Sequence, residues 1–247
     1  MPGTNKALCL KNFINCFPNE NIAIIADNCG EETLEMLRSF RTEKIIVSHT
    51  SNAGSLSLAI FHALGQPEDE IIYFVEDDYL HREGMPLMQI IKEGLDHAEY
   101  VTLYDHPDKY QKKYDYGEVG VVRRTNATHW RATISTCMTF ATRVKYLRDD
   151  LKLWHKYTLD THPHDHKVFC ELKEKGRNLL VSIPGLAFHT DLTYIMQHNL
   201  DAMVDNWVID YMELKLDGHN VPKKDSITAF RRLFLLEAYQ KKKPPIN

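Results

Sequence analysis

Residues 71–79 read Ile71-Ile72-Tyr73-Phe74-Val75-Glu76-Asp77-Asp78-Tyr79. An apolar run rich in β-branched and aromatic residues passes directly into three consecutive acids. The run has the length and composition of a strand buried on both faces. The acids then fall at its C-terminal end, where open α/β sheets place their ligands. Adjacent carboxylates repel one another unless a cation or hydrogen-bond donors offset their charge. A hard divalent cation, Mg²⁺ or Mn²⁺, would do so and would hold phosphate oxygens in turn. The alternative is a solvated acidic turn after a core strand.

The pattern around this stretch alternates. Upstream, residues 6–17 have helical spacing, 21–26 (NIAIIA) form an apolar strand, 31–40 an amphipathic helix, 44–49 a strand and 56–64 a helix. Acids in the first turn of the 31–40 segment suit the helix dipole. Downstream come a helix over 86–98 and a strand over 99–104. Alternation of this kind predicts a largely parallel sheet with right-handed crossovers. From residue 105 the pattern changes. A polar loop runs to 116 as a plausible lid. Segments 117–124 and 129–142 are β-like, 144–157 and 166–175 helical, and 178–183 a strand; 184–191 turns to the surface. Helical stretches near 206–216 and 226–240 and a disordered tail over 241–247 complete the reading. We expect one α/β domain over 5–240, with a mostly parallel sheet flanked by helices and a small β part. Its nucleotide-binding half is 5–104, its acceptor and catalytic half 105–191, and its C-terminal helices 192–240.

Bulk properties narrow the class. A chain of 247 residues can bury a sizeable core without staples. The net charge of −4 gives no general grip on nucleic acid or anionic lipid. Five widely spaced cysteines without a CxxC pair indicate neither a zinc site nor a disulfide framework. They suit a reducing compartment. No segment approaches a membrane span. The expected setting is cytoplasmic, with any membrane association made through partners.

Several residues are candidates for chemistry. Asp27 ends a strand and could accept from a nucleobase or ribose, or close an Asx-turn before the next helix. The small-residue segment Ser51-Asn52-Ala53-Gly54-Ser55 precedes a helix whose N–H groups favour anions, although its spacing matches no phosphate-loop fingerprint. His162, His164 and His166 crowd one loop, but not with the spacing of a zinc-binding helix face. Asp165 among them is either a general base or an N-cap. His189 follows a strand, and its imidazole could complete an oxygen-rich metal site. His129, Trp130 and Thr136 could line an acceptor pocket; a Trp in such a place is more often core.

Taken together, these pieces resemble the GT-A glycosyltransferases, in particular the family-2-like group. Glu76-Asp77-Asp78 corresponds to the family's DxD-type motif, with glutamate where aspartate is usual. Asp165 through Gly176 looks like the family's "ED" element, with His164 in the glutamate's place. The resemblance spans about residues 7–191. It implies a UDP- or GDP-linked sugar donor, a carbohydrate or glycan acceptor, and Mn²⁺ or Mg²⁺ held by Asp78, Glu76 and His189. It further implies donor contacts from Asp27, Asn52, Asp77 and Glu76, and Asp165 as the base of an inverting transfer. The family opens on a strand, whereas this chain begins almost at a helix, so that strand is expected to be missing, shortened or replaced. Nucleotidyl transfer, or nucleotide-sugar or carbohydrate binding without catalysis, are the alternatives.

Overall fold

The computed structural model describes residues 5–106, 109 and 122–190. Its elements lie in one compact unit, Thr4–His189. In chain order they are α1 (Lys6–Cys16), β1 (Ala23–Asp27), α2 (Glu31–Arg38), β2 (Lys44–Ser48), α3 (Asn52–Ala63), β3 (Ile71–Phe74) and β4 (Tyr79–His81). There follow α4 (Leu87–Leu95), β5 (Tyr100–Thr102), β6 (Val122–Arg124), β7 (His129–Ala132), β8 (Phe140–Arg143) and α5 (Val144–Asp149). The last are α6 (Leu151–Lys156), α7 (Asp165–Glu174), β9 (Leu179–Ile183) and β10 (Ala187–His189). The expected helices over 192–240, the tail over 241–247 and most of the 105–116 loop lie outside the described residues.

The fold is α/β, with a central six-stranded sheet in the order β3-β8-β5-β9-β7-β6. A pair of parallel strands, β1 and β2, and an antiparallel pair, β4 and β10, complete the strands. Strands β3, β5, β9 and β6 share one direction. Strands β8 and β7 run against them, so most ladders pair antiparallel neighbours although most strands point one way. Strand β3 ends the sheet, and its Ile71, Ile72 and Tyr73 are only half-buried. The strand buried on both faces is therefore not β3 but the centre, β5 and β8, every residue of which except Arg143 is buried.

Period-2 alternation divides these central strands between two cores. Val101, Ala141 and Leu180 face α4, packing with Leu87, Ile90 and Trp130. Tyr100, Phe140 and Leu179 face α3 and α5–α7, packing with Ile60, Trp154 and Phe169. The Phe140 and Trp154 rings stack at 4.8 Å.

Three further expectations change. The single helix expected over 144–157 is two, because buried Asp150 is drawn aside to accept from the Tyr100 hydroxyl at 2.9 Å and to pair with Arg177 at 3.1 Å. The turn expected over 184–191 contains β10, and β4 follows the acids directly; each has only three residues and exists through its pairing with the other. Helix α3 begins at Asn52 rather than 56, since Ser51 caps it by accepting from the Gly54 N–H at 3.2 Å.

Candidate metal and transfer site

Strand β3 delivers Glu76, Asp77 and Asp78 to the C-terminal edge of the sheet, and β4 leaves from them at once. Strand β10 lies antiparallel on β4 with His189 opposite Tyr79. That register brings His189 beside Asp78, its Nε2 lying 3.2 Å from Asp78 Oδ2. Ligand atoms of Glu76, Asp78 and His189 all fall within 4.8 Å of one another. Two cis ligands at ~2.1 Å from an octahedral ion are ~3.0 Å apart. The Asp78–His189 separation matches that spacing, so with Glu76 beside them these residues could hold one divalent ion, and the nitrogen donor suits Mn²⁺ better than Mg²⁺. The buried His189 ring is held by Tyr79, edge-on at 4.9 Å, and by Tyr104 at 6.2 Å.

The electrostatics agree with a cation site. Burial, and then the charges of Asp78, Asp165 and Asp77, push the Glu76 carboxyl up to about 8. The residue as a whole remains exposed, so the crowd of acids is the firmer part of that cause. Asp77 is not among these ligand atoms and is ion-paired with Lys6.

Asp165 joins the site through a short connecting segment. It is the first residue of α7, yet it does not cap its own helix. Its Oδ2 instead accepts from the Thr136 N–H at 3.1 Å, the Thr136 hydroxyl at 3.2 Å and the Met138 N–H at 3.5 Å. Cys137 and Met138 have φ of 46° and 61°, a left-handed turn that aims these donors. The Tyr79 hydroxyl donates to the Cys137 carbonyl at 3.0 Å and ties that turn to the acidic one. The N-cap reading of Asp165 is thereby set aside.

The remaining sequence candidates divide. Asp27 Oδ1 accepts from the Ser48 hydroxyl and from the Thr50 N–H and hydroxyl, and Oδ2 accepts from the Asn28 amide. These bonds, the Thr50 N–H first, hold its carboxyl below the usual range. Asp27 therefore clasps the ends of β1 and β2. Asn52 is exposed, but the N–H groups that made its loop an anion candidate are engaged: Ala53 donates to the Thr161 carbonyl and Gly54 to Ser51. His129 is exposed on β7. Trp130 is fully buried, its ring against Gly94 and its Nε1 donating to Thr125. It cannot face an acceptor, and Thr136, equally buried, serves Asp165. Sequence reasoning passed over Lys6 and Asn12, whose contacts join residues 71 and 69 positions away; no local signal marks them.

No protein-family model matches the chain, and no curated protein matches its sequence. Among solved structures, 4-diphosphocytidyl-2C-methyl-D-erythritol synthase from Anaerococcus prevotii DSM 20548 is similar at 12% identity and a TM-score of 0.42, over 80% of this chain and 85% of that one. No helix among the described residues is long and apolar enough to cross a membrane.

Proposed function

We propose that this chain is a divalent-cation-dependent transferase that moves a sugar from a UDP- or GDP-linked donor to a hydroxyl of a carbohydrate or glycan acceptor. The observation supporting this is the fixed carboxylate of Asp165 next to the Glu76–Asp78–His189 cluster. Glu76, Asp78 and His189 would hold Mn²⁺ or Mg²⁺, and the ion would offset charge on the departing diphosphate. Asp165 takes the acceptor proton as the hydroxyl oxygen attacks the anomeric carbon opposite the leaving group, giving inversion. Thr136 and Met138 keep that carboxylate aimed. Asp77, Asn52 and the remaining acceptor capacity of Asp27 would contact the donor, and His129 the acceptor.

The test is calorimetry of UDP, GDP and CDP with and without Mn²⁺, followed by turnover of the matching nucleotide sugar with a glycan panel. Cation-dependent binding and release of the nucleoside diphosphate are expected. Binding that ignores the cation, or no binding, rejects the reading; binding without turnover assigns a silent nucleotide-sugar binder.

Nucleotidyl transfer is the second reading. The burial of Trp130 and Thr136 favours it, because attack on an α-phosphorus needs the cation cluster but no sugar platform. Release of pyrophosphate from a nucleoside triphosphate would distinguish it.

A further inference from the structure

We propose that Lys6 is the site's own phosphate-positioning cation, parked on Asp77 until a diphosphate takes it over. This rests on the reading that the site accepts a nucleoside diphosphate. Lys6 opens α1, and its ammonium pairs with the middle acid of the turn whose flanking acids belong to the metal cluster.

Its place there is built. Helix α1 is bolted to β4 by Asn12, whose amide accepts from the His81 N–H at 2.6 Å and donates to the His81 carbonyl at 2.9 Å. Phe13 and Phe17 lie 4.7 Å apart and pack on Tyr73 and His81 at 5.3–6.2 Å along the same face. From Asn12 back to Lys6 the helix rises ~9 Å, while β4 runs back from His81 to the acidic turn. The two N-terminal ends therefore meet at Lys6 and Asp77. Asn5 fixes where the helix starts by accepting from the Leu8 N–H at 2.9 Å.

The charges say why the pair is temporary. With the cluster empty, an ammonium beside Asp77 and Asp78 relieves repulsion among the acids. A dication on Glu76, Asp78 and His189 does the same and repels the ammonium. A diphosphate has oxygens enough for both cations, so Lys6 gains a better partner by leaving Asp77. Its side chain can move, being 68% exposed with a 59% exposed partner. A flexible point charge is how lysine binds phosphate.

The experiment compares the full chain as wild type, Lys6→Gln and Lys6→Arg. Mn²⁺ alone is titrated by the loss of its free-ion electron paramagnetic resonance signal. Inorganic pyrophosphate is then titrated calorimetrically at saturating Mn²⁺. Lys6→Gln should bind pyrophosphate about tenfold more weakly, the scale of one charge-assisted hydrogen bond. It should bind Mn²⁺ as tightly as wild type or tighter, because a like charge has gone. Lys6→Arg should hold pyrophosphate close to the wild-type affinity. Equal pyrophosphate affinity in wild type and Lys6→Gln overturns the proposal alone. Weaker Mn²⁺ binding by Lys6→Gln overturns it in favour of a prop for the acidic turn. A wild type that takes no pyrophosphate in any metal state overturns the proposal together with the functional reading.

Discussion

His189 and Asp78 meet at 3.2 Å through a three-residue ladder that sets His189 opposite Tyr79, the neighbour of Asp78. His189 is therefore fixed by backbone register, and Asp78 sits in the turn that leads directly into the same ladder. Outer-sphere changes alone weaken metal sites by about 10–100-fold. His189→Ala and Asp78→Asn should each reduce Mn²⁺ affinity by at least about that much, read by calorimetry. Unchanged affinity in both would remove the metal assignment.

Asp165 should behave differently. Asp165→Asn removes the base but not the cation ligands. Turnover is expected to fall by about 10²–10⁴-fold, with nucleotide affinity nearly unchanged. Thr136→Val removes one of the donors to Oδ2 and keeps the shape, so a smaller loss, about five- to tenfold, is expected. Equal loss of donor affinity in Asp165→Asn would argue against the base role.

Glu76 gives a pH signature. Its folded carboxyl titrates at about 8, above the ordinary 4.5. Between those values the folded metal-free protein holds a proton that the unfolded chain has released, so stability should fall as pH rises through this window. Cation binding displaces the same proton, so apparent Mn²⁺ affinity should rise toward pH 8 and level off above it. Thermal melts and Mn²⁺ titrations from pH 5 to 9 test both slopes. Glu76→Gln should flatten each of them.

Gly94→Ala tests the burial of Trp130. An added Cβ would lie 2.7 and 2.8 Å from two Trp130 ring carbons and 2.9 Å from Val101 Cγ1. Alanine favours a helix by about 1 kcal/mol over glycine. The ring is fixed in the core, however, and overpacking costs about 1–3 kcal/mol. Net destabilisation, measured by denaturant unfolding, is expected. A more stable variant would mean that Trp130 is free to move.

What the sequence made legible follows from how local each signal is. Ile71 to Asp78 announced a strand end bearing acids because composition and order suffice for that. The same holds for Asp165 at the start of α7 and for His189 after β9. Strands β4 and β10 were not legible, since segments of three residues carry no period and exist only as partners. Trp130 and Asp150 show the same limit in side chains. Whether an indole is platform or core, and whether an aspartate interrupts a helix, depends on Gly94, Tyr100 and Arg177, which come from other elements. From sequence Asp27 faces a ligand or closes a turn, and its partners Ser48 and Thr50 arrive only when β1 and β2 pair.

The clamp between Asn12 and His81 has one more consequence. Strand β10 covers one side of β4, and the His81 N–H and carbonyl point to the other, where a side-chain amide meets both. Asn12 there meets the His81 N–H and carbonyl together, as a neighbouring strand would. Exposed strand edges invite such pairing. Helix α1 thus covers the edge of the strand that leaves the acidic turn, so that this edge is closed from within the chain rather than open to a second one.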